Sequence, residues 1–330
     1  MPGAPAAHLP GRAGGRLCRP PSLAKFPVSY ALGGTYLRPM THDRATLDPE
    51  RLDPPARNAD PDTVAGFGEE WAEYDQSGAP TAELQRIWEG YFRVFPWDRL
   101  PPGAQGFDLG CGSGRWARLV APRVGRLHCI DASARALEVA RRNLAGLDNC
   151  AFHHASVDDI PLADGSMDFG YSLGVLHHVP DTAAGLRSCV AKLKPGAPFL
   201  VYLYYAFDNR PAWFRTVWRA SDRLRARLCR LPHGRKVRVT RALALGVYWP
   251  LARSARLLER AGMNVDALPL SAYRDRSLYT MQTDALDRFG TRLEQRFTRV
   301  QIEEMMHAAG LRDVRFNPGE AFWTAVGFRA

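Results

Sequence analysis

The chain has 330 residues, 46% of them apolar and 24% charged, with a formal net charge of +10. This is ordinary for a globular protein and leaves room for one large α/β domain with an insertion, or for two small domains. No run of about 18 apolar residues occurs, so no transmembrane helix is expected. The six cysteines (Cys18, Cys111, Cys129, Cys150, Cys189, Cys229) lack C-x-x-C spacing and read as reduced thiols of a cytoplasmic protein, not as a disulfide framework or a zinc site.

Residues 1–62 read as a disordered tail and linker. Met1 to Met40 is rich in Pro, Gly, Ala and Arg, carries no acid, and lacks the continuous apolar core of a secretory signal. The composition also suits an organellar transit peptide. Acidic residues begin abruptly after Met40, which makes Met40 the expected native start; N-terminal sequencing of protein from its native host would test this. From Thr63 the pattern becomes globular, and residues 63–207 are expected to form the main domain. Phe67 to Tyr74 is followed by a helical pattern from Thr81 to Phe95, with Leu84, Ile87, Trp88, Tyr91 and Phe92 on one face. Trp71 and Tyr74 suit either a lid over a bound ligand or the core.

Apolar residues lead into Asp108-Leu109-Gly110-Cys111-Gly112-Ser113-Gly114, and a helical pattern leaves it. This is a strand, a glycine turn and a helix start: glycine permits positive φ and close approach of a ligand to the backbone, and the helix start offers unpaired N–H groups. Some 20 residues on, the run Leu127-His128-Cys129-Ile130 ends at Asp131. A carboxylate at the end of a second strand can accept both hydroxyls of a ribose, so a nucleoside-containing cofactor is expected at the carboxyl edge of a parallel sheet. The spacing is G-x-G-x-G rather than G-x-G-x-x-G, and Asp108 would repel a pyrophosphate but suits a cationic ligand.

The glycine segment, Asp131 and the later stretch Asp158 to Pro180 resemble the class I S-adenosylmethionine (SAM) methyltransferases. The resemblance covers about Gly106 to Tyr205 well and the terminal helix and strands loosely. It implies a Rossmann-like seven-stranded sheet in the order 3-2-1-4-5-7-6 with helices on both faces. The expected strands are Gly106–Leu109, Arg126–Ile130, Cys150–His154, Phe169–Leu173, Pro198–Tyr205, Arg312–Phe316 and Phe322–Phe328. The expected helices within the core are Ser113–Val120, Ser133–Leu144 and Asp181–Leu193. SAM is the implied cofactor, with Asp108, Gly110, Cys111, Gly112, Gly114, Asp131, Ala132, Ser156, Val157 and Leu173 around it. Many members carry an acid before a small residue at the adenine edge; here Ser156 takes the acid's place, and either Ser156 or Asp158 could meet the adenine amino group. Leu176-His177-His178-Val179 is typical of small-molecule methyltransferases, and His178 is the candidate base, with a helix-capping or core histidine as the plainer alternative. Quinone O-methyltransferases of similar sequence carry acids at the positions of Gly174 and His177; this chain does not, so no metal site is expected.

Strand five ends in aromatics, which places Tyr204 and Tyr205 beside a substrate mouth. Residues 208–297 then depart from the simple fold. Two helical stretches are expected, Ala212 to Leu231 and Arg235 to Ala261, dense in arginine, nearly free of acids and interleaved with Trp213, Phe214, Trp218, Tyr248 and Trp249. Such a hairpin suits peripheral contact with an anionic membrane through residues 210–260, or a cap with solvated arginines; no nucleic-acid-binding module is visible. Leu270 to Phe297 reads as a substrate loop, with Tyr273, Arg274 and Asp287, together with Tyr74, Tyr204 and Tyr205, as candidates for contact with a small-molecule acceptor. Residues 298–330 close the core, with Thr298 and Gln301 forming a capping box on the last helix. The function implied is methyl transfer from SAM to an O or N atom of an aromatic, quinone-like, lipid or sugar acceptor. A SAM-binding or membrane-surface protein without turnover is the alternative.

Overall fold

The computed structural model describes residues 58–208, 210–319 and 323–330. The expected tail and the Met40 start lie outside these residues, as does Phe322.

Seven strands form one sheet in the order β3-β2-β1-β4-β5-β7-β6. They are β1 Gln105–Leu109, β2 Arg126–Asp131, β3 Cys150–His154, β4 Phe169–Leu173, β5 Pro198–Tyr202, β6 Leu311–Phe316 and β7 Thr324–Arg329. The first five are parallel, and β7 runs antiparallel to both β5 and β6. Parallel strands buried on both faces need apolar cover on each side. On one face Trp88 and Phe92 of α2 (Thr81–Phe92) and Leu137 of α4 (Ala134–Asn143) pack with Tyr171 and Leu200. On the other, Leu186 and Val190 of α5 (Thr182–Lys192) and Ile302 and Met306 of α10 (Arg299–Ala308) pack with Phe107, Phe199 and Val201.

Side-chain caps start several helices. Asp60 accepts from the Thr63 amide at α1 (Pro61–Glu73), Ser133 from Ala136 at α4, and Asp181 from Ala184 at α5. The capping box of Thr298 and Gln301 is present. Helix α1 begins two residues before the boundary read for the linker, because Asp60 caps it and Pro61 suits the first helical turn.

Three elements differ from expectation. The helix after the glycine loop shrinks to α3 (Ala117–Val120) and a 3₁₀ turn at Ala121–Arg123, where Pro122 lacks an N–H. Strand five ends at Tyr202, because Tyr205 leaves the sheet to bridge Phe297. The stretch read as a substrate loop contains α9 (Leu278–Gly290), capped by Ser277. The second insertion helix spans α7 (His233–Leu243), a π-helical turn at Ala244–Tyr248 and α8 (Trp249–Arg260), after α6 (Ala212–Leu228). Ala244, Tyr248 and Ala252 pack on Met281, Ala285 and Phe289 of α9, giving the insertion its own small core.

Two glycines interlock β1 with β4. A Cβ on Gly106 would lie 2.3 Å from the Phe169 ring, and one on Gly170 would lie 2.4 Å from the Phe107 ring. Each glycine thus vacates the space that its neighbour's phenyl ring fills. Gly170→Val is expected to lower unfolding stability by about 1–3 kcal/mol through overpacking; chemical denaturation measures it, and an unchanged midpoint would contradict the interlock.

Candidate active site

The glycine loop leaves β1 with Gly110, Gly112 and Gly114 all at positive φ (75°, 54° and 75°). Asp131, at the end of β2, holds it: Oδ2 accepts the Gly112 amide at 2.9 Å and Oδ1 the Ser133 amide at 2.8 Å. Burial raises the Asp131 pKa, and the two amide donors oppose that rise. Helix α1 lies close over this loop. A Cβ on Gly112 would meet the Trp71 indole at 2.8 Å, and one on Gly68 would meet Ser133 Oγ at 2.4 Å. The Arg115 guanidinium sits over both the Trp71 and Trp116 rings, at 5.0 and 4.5 Å.

A cavity of about 760 Å³ opens from the carboxyl ends of these strands. At one end it is lined by Gly110, Cys111, Asp131, Ala132, Ser156 and Val157, and Leu173 and Gly174 follow. Among the described residues a Cβ on Gly174 would meet just Tyr202, at 4.0 Å, so its glycine answers to φ of 79° rather than to crowding. This end suits a nucleoside: a half-buried carboxylate with spare lone pairs, glycine backbone, and small side chains beside it. Gly112 and Gly114 shape the loop without lining the cavity. Asp108 does not line it either. Its carboxyl is buried between β2 and β4, beside Cys129 and Tyr171 in register, and burial pushes its pKa up to about 8. The contact with a cationic ligand expected of Asp108 is thus not one that lines the cavity directly.

The other end of the cavity is aromatic and polar. His178 lines it, with Nδ1 2.7 Å from the Leu293 carbonyl and its ring 4.9 Å from that of Phe67. A carbonyl only accepts, so Nδ1 carries the proton and Nε2 keeps its lone pair. Nε2 has no partner among the described residues, and burial lowers the imidazole pKa. His177 is fully buried and stacks on Tyr204 at 3.8 Å. Tyr204 donates to Asp287 Oδ2 at 2.5 Å, and the Arg296 guanidinium lies over the Tyr204, Phe207 and Trp218 rings at 4.8–4.9 Å.

Of the expected acceptor contacts, Tyr204, Tyr205, Tyr273 and Asp287 line this end. Tyr74 and Arg274 do not. Tyr74 is buried against Val237 and Leu286, its hydroxyl accepting from Arg241 at 3.0 Å, and Arg274 is held by Glu259 at 2.9 Å. Asp284, Arg115, Arg276 and Arg296 line the cavity without having been anticipated. Asp284 sits one turn from Asp287 on α9, and burial lifts its pKa to about 6. The three-residue spacing would have paired the two aspartates had α9 been recognised as a helix.

Residues 107–201 match the family described as methyltransferase domain. Within those residues the chain carries a methyltransferase domain, and its sheet has the strand order expected from the resemblance. It is 32% identical over 158 residues to the ubiquinone biosynthesis O-methyltransferase of Methylocella silvestris, a match that covers 42% of this chain and 61% of that protein. To the protein of the same name from Paracidovorax citrulli it is 28% identical, covering 47% of this chain and 65% of the other. The chain thus spans less than two thirds of the length of either relative. Among solved structures it is similar to the N-methyltransferase NodS of Bradyrhizobium japonicum in complex with S-adenosyl-L-homocysteine, at 18% identity and a TM-score of 0.36, over 42% of this chain and 72% of that one.

Asp131→Ala would leave two loop amides without their acceptor, and Gly112→Val would drive a side chain into Trp71 at positive φ. Both variants are expected to weaken SAM binding by at least about tenfold, the loss of one or more charge-assisted hydrogen bonds. Isothermal titration checks this, and unchanged affinity in both would overturn the assignment.

Proposed function

We propose that the chain transfers a methyl group from SAM to an O or N atom of a small aromatic or quinone-like acceptor. One observation carries this reading: a single cavity joins the nucleoside end, at Asp131 and the glycine loop, to the aromatic end at His178, Tyr204 and Asp287. Donor and acceptor can therefore meet out of bulk water. The similarity to ubiquinone biosynthesis O-methyltransferases supports an oxygen acceptor on a ring.

SAM, when bound, supplies a methyl group already activated by a sulfonium. The protein must then position the acceptor, exclude water and accept a proton. In this reading Asp131 holds the ribose hydroxyls, and Ala132, Ser156, Val157 and Leu173, which line the same end of the cavity, bracket the base. Trp71 and Phe67 of α1 cover the crevice, and the Tyr204–Asp287 pair and Tyr273 orient the acceptor. His178 is the base: its Nδ1 proton is fixed on the Leu293 carbonyl, which leaves Nε2 to take the acceptor's proton.

The sign of the pH dependence follows from burial. A lowered imidazole pKa keeps His178 neutral to more acidic pH than an ordinary histidine, whose value is about 6.5. Turnover should therefore hold at neutral pH and fall on an acid limb lying below that value. Transfer of labelled methyl from SAM into a host metabolite extract supplies the acceptor and the assay. His178→Gln is expected to lower kcat by about 10²- to 10⁴-fold and remove the acid limb while SAM affinity stays within about twofold. Undiminished kcat would remove the base. SAM binding without any methylated product would leave a SAM-binding protein without turnover.

A further inference from the structure

Residues 210–260 hold fourteen Lys and Arg against two acids, Asp222 and Glu259. The same region and the residues just after it carry most of the exposed large hydrophobics. Among the described residues, ten of the eleven large hydrophobics that stand exposed lie between Trp213 and Leu268. A solvated cap explains the arginines but not this second fact.

Helix α6 shows how the two are combined. At about 100° per residue, Trp213, Val217, Ala220 and Leu224 fall in one strip, and Arg219, Arg223 and Arg227 in the strip beside it. All of these residues are exposed. The opposite side, with Trp218 and Arg225, packs inward: Arg225 bonds to the Thr291 carbonyl and Trp218 lies under Arg288 and Arg296. An apolar strip flanked by arginine is the pattern of a helix lying in a bilayer interface, where tryptophan is also favoured. The cavity opens onto the same surface. Val217, Val247, Leu251 and Leu268 line it and are nonetheless 52%, 41%, 45% and 37% exposed. Trp213 and Trp249 stand nearby in sequence, at 48% and 45% exposed. No helix among the described residues is long and apolar enough to cross a membrane, so the contact would be one of surface.

We infer that the outer face of the insertion docks on an anionic lipid bilayer, with the cavity mouth opening on the docked face. Arginines meet lipid phosphates, the apolar strip enters the headgroup boundary, and an amphiphilic acceptor can pass from the bilayer into the cavity without crossing water. The last clause rests on the methyl-transfer reading; the docking does not.

Flotation of the full chain with vesicles tests it without requiring turnover, so a negative result here leaves methyl transfer standing. With equimolar phosphatidylcholine and phosphatidylglycerol, the protein is expected to float at low salt, to be released as salt rises, and to stay at the bottom with phosphatidylcholine alone. The triple variant Arg219→Glu, Arg223→Glu, Arg227→Glu and the triple variant Trp213→Ser, Val217→Ser, Leu251→Ser should each weaken binding by more than about tenfold. Circular dichroism confirms that they fold, and the salt series on the unmodified chain stands as a test should either not fold. Absence of flotation at low salt overturns the inference. So does flotation undiminished in both folded variants, or retention of duplex DNA by a chain that does not float.

Discussion

The carboxylate of Asp131 ties together the two turns on which the site depends. One oxygen fixes Gly112, in the turn after β1, and the other fixes Ser133, which caps α4 after β2. Burying a carboxylate is costly unless it is hydrogen-bonded, and here each oxygen meets a backbone donor. The glycine loop is thereby held with its backbone towards the cavity, and α1 is brought down upon it through the two contacts that only glycine permits, at Gly68 and Gly112. The crevice exists as a crevice because this side chain braces both of its sides.

The far end of the cavity is held differently. Its parts come from segments distant in sequence: His178 after β4, Tyr204 after β5, Asp287 on α9 and Arg296 beyond it. Three rings around the Arg296 guanidinium, and Glu294 at 2.9 Å from it, join these segments. The Gln295 amide bonds to the His177 carbonyl, and its side chain donates to the Val179 carbonyl at 2.7 Å. The segment after α9 therefore clamps the histidine turn and, through Leu293, sets the tautomer of His178. Leu293, which does not line the cavity, decides which ring nitrogen of His178 carries the proton.

How much of this was legible in the sequence follows from how local each signal is. The sheet order is implied by the family resemblance, while the strand that ends at Asp131 and the caps at Ser133 and Thr298 depend on short patterns; the structure has all of them. Helix α9 was missed because it is apolar on more than one side: Met281, Ala285 and Phe289 pack on the π-helical turn, while Leu286 joins Tyr74 and Val237. No single stripe survives in the sequence. Tyr74 and Arg274 were misplaced for a related reason: aromatic and charged residues near a predicted mouth look alike whether they face the ligand or, as Arg274 does with Glu259, a neighbour across the chain. Asp108 stands in the motif, but its carboxyl packs in register with Tyr171 and does not line the cavity.

The most direct measurement is equilibrium titration of the unmodified chain with SAM, S-adenosyl-L-homocysteine and NAD. Saturable binding of the first two and none of the third is the expected result, since the crevice offers a carboxylate and small neighbours but no G-x-G-x-x-G turn for a pyrophosphate. Saturable binding of NAD, with neither sulfur nucleoside bound, would contradict the assignment at its root.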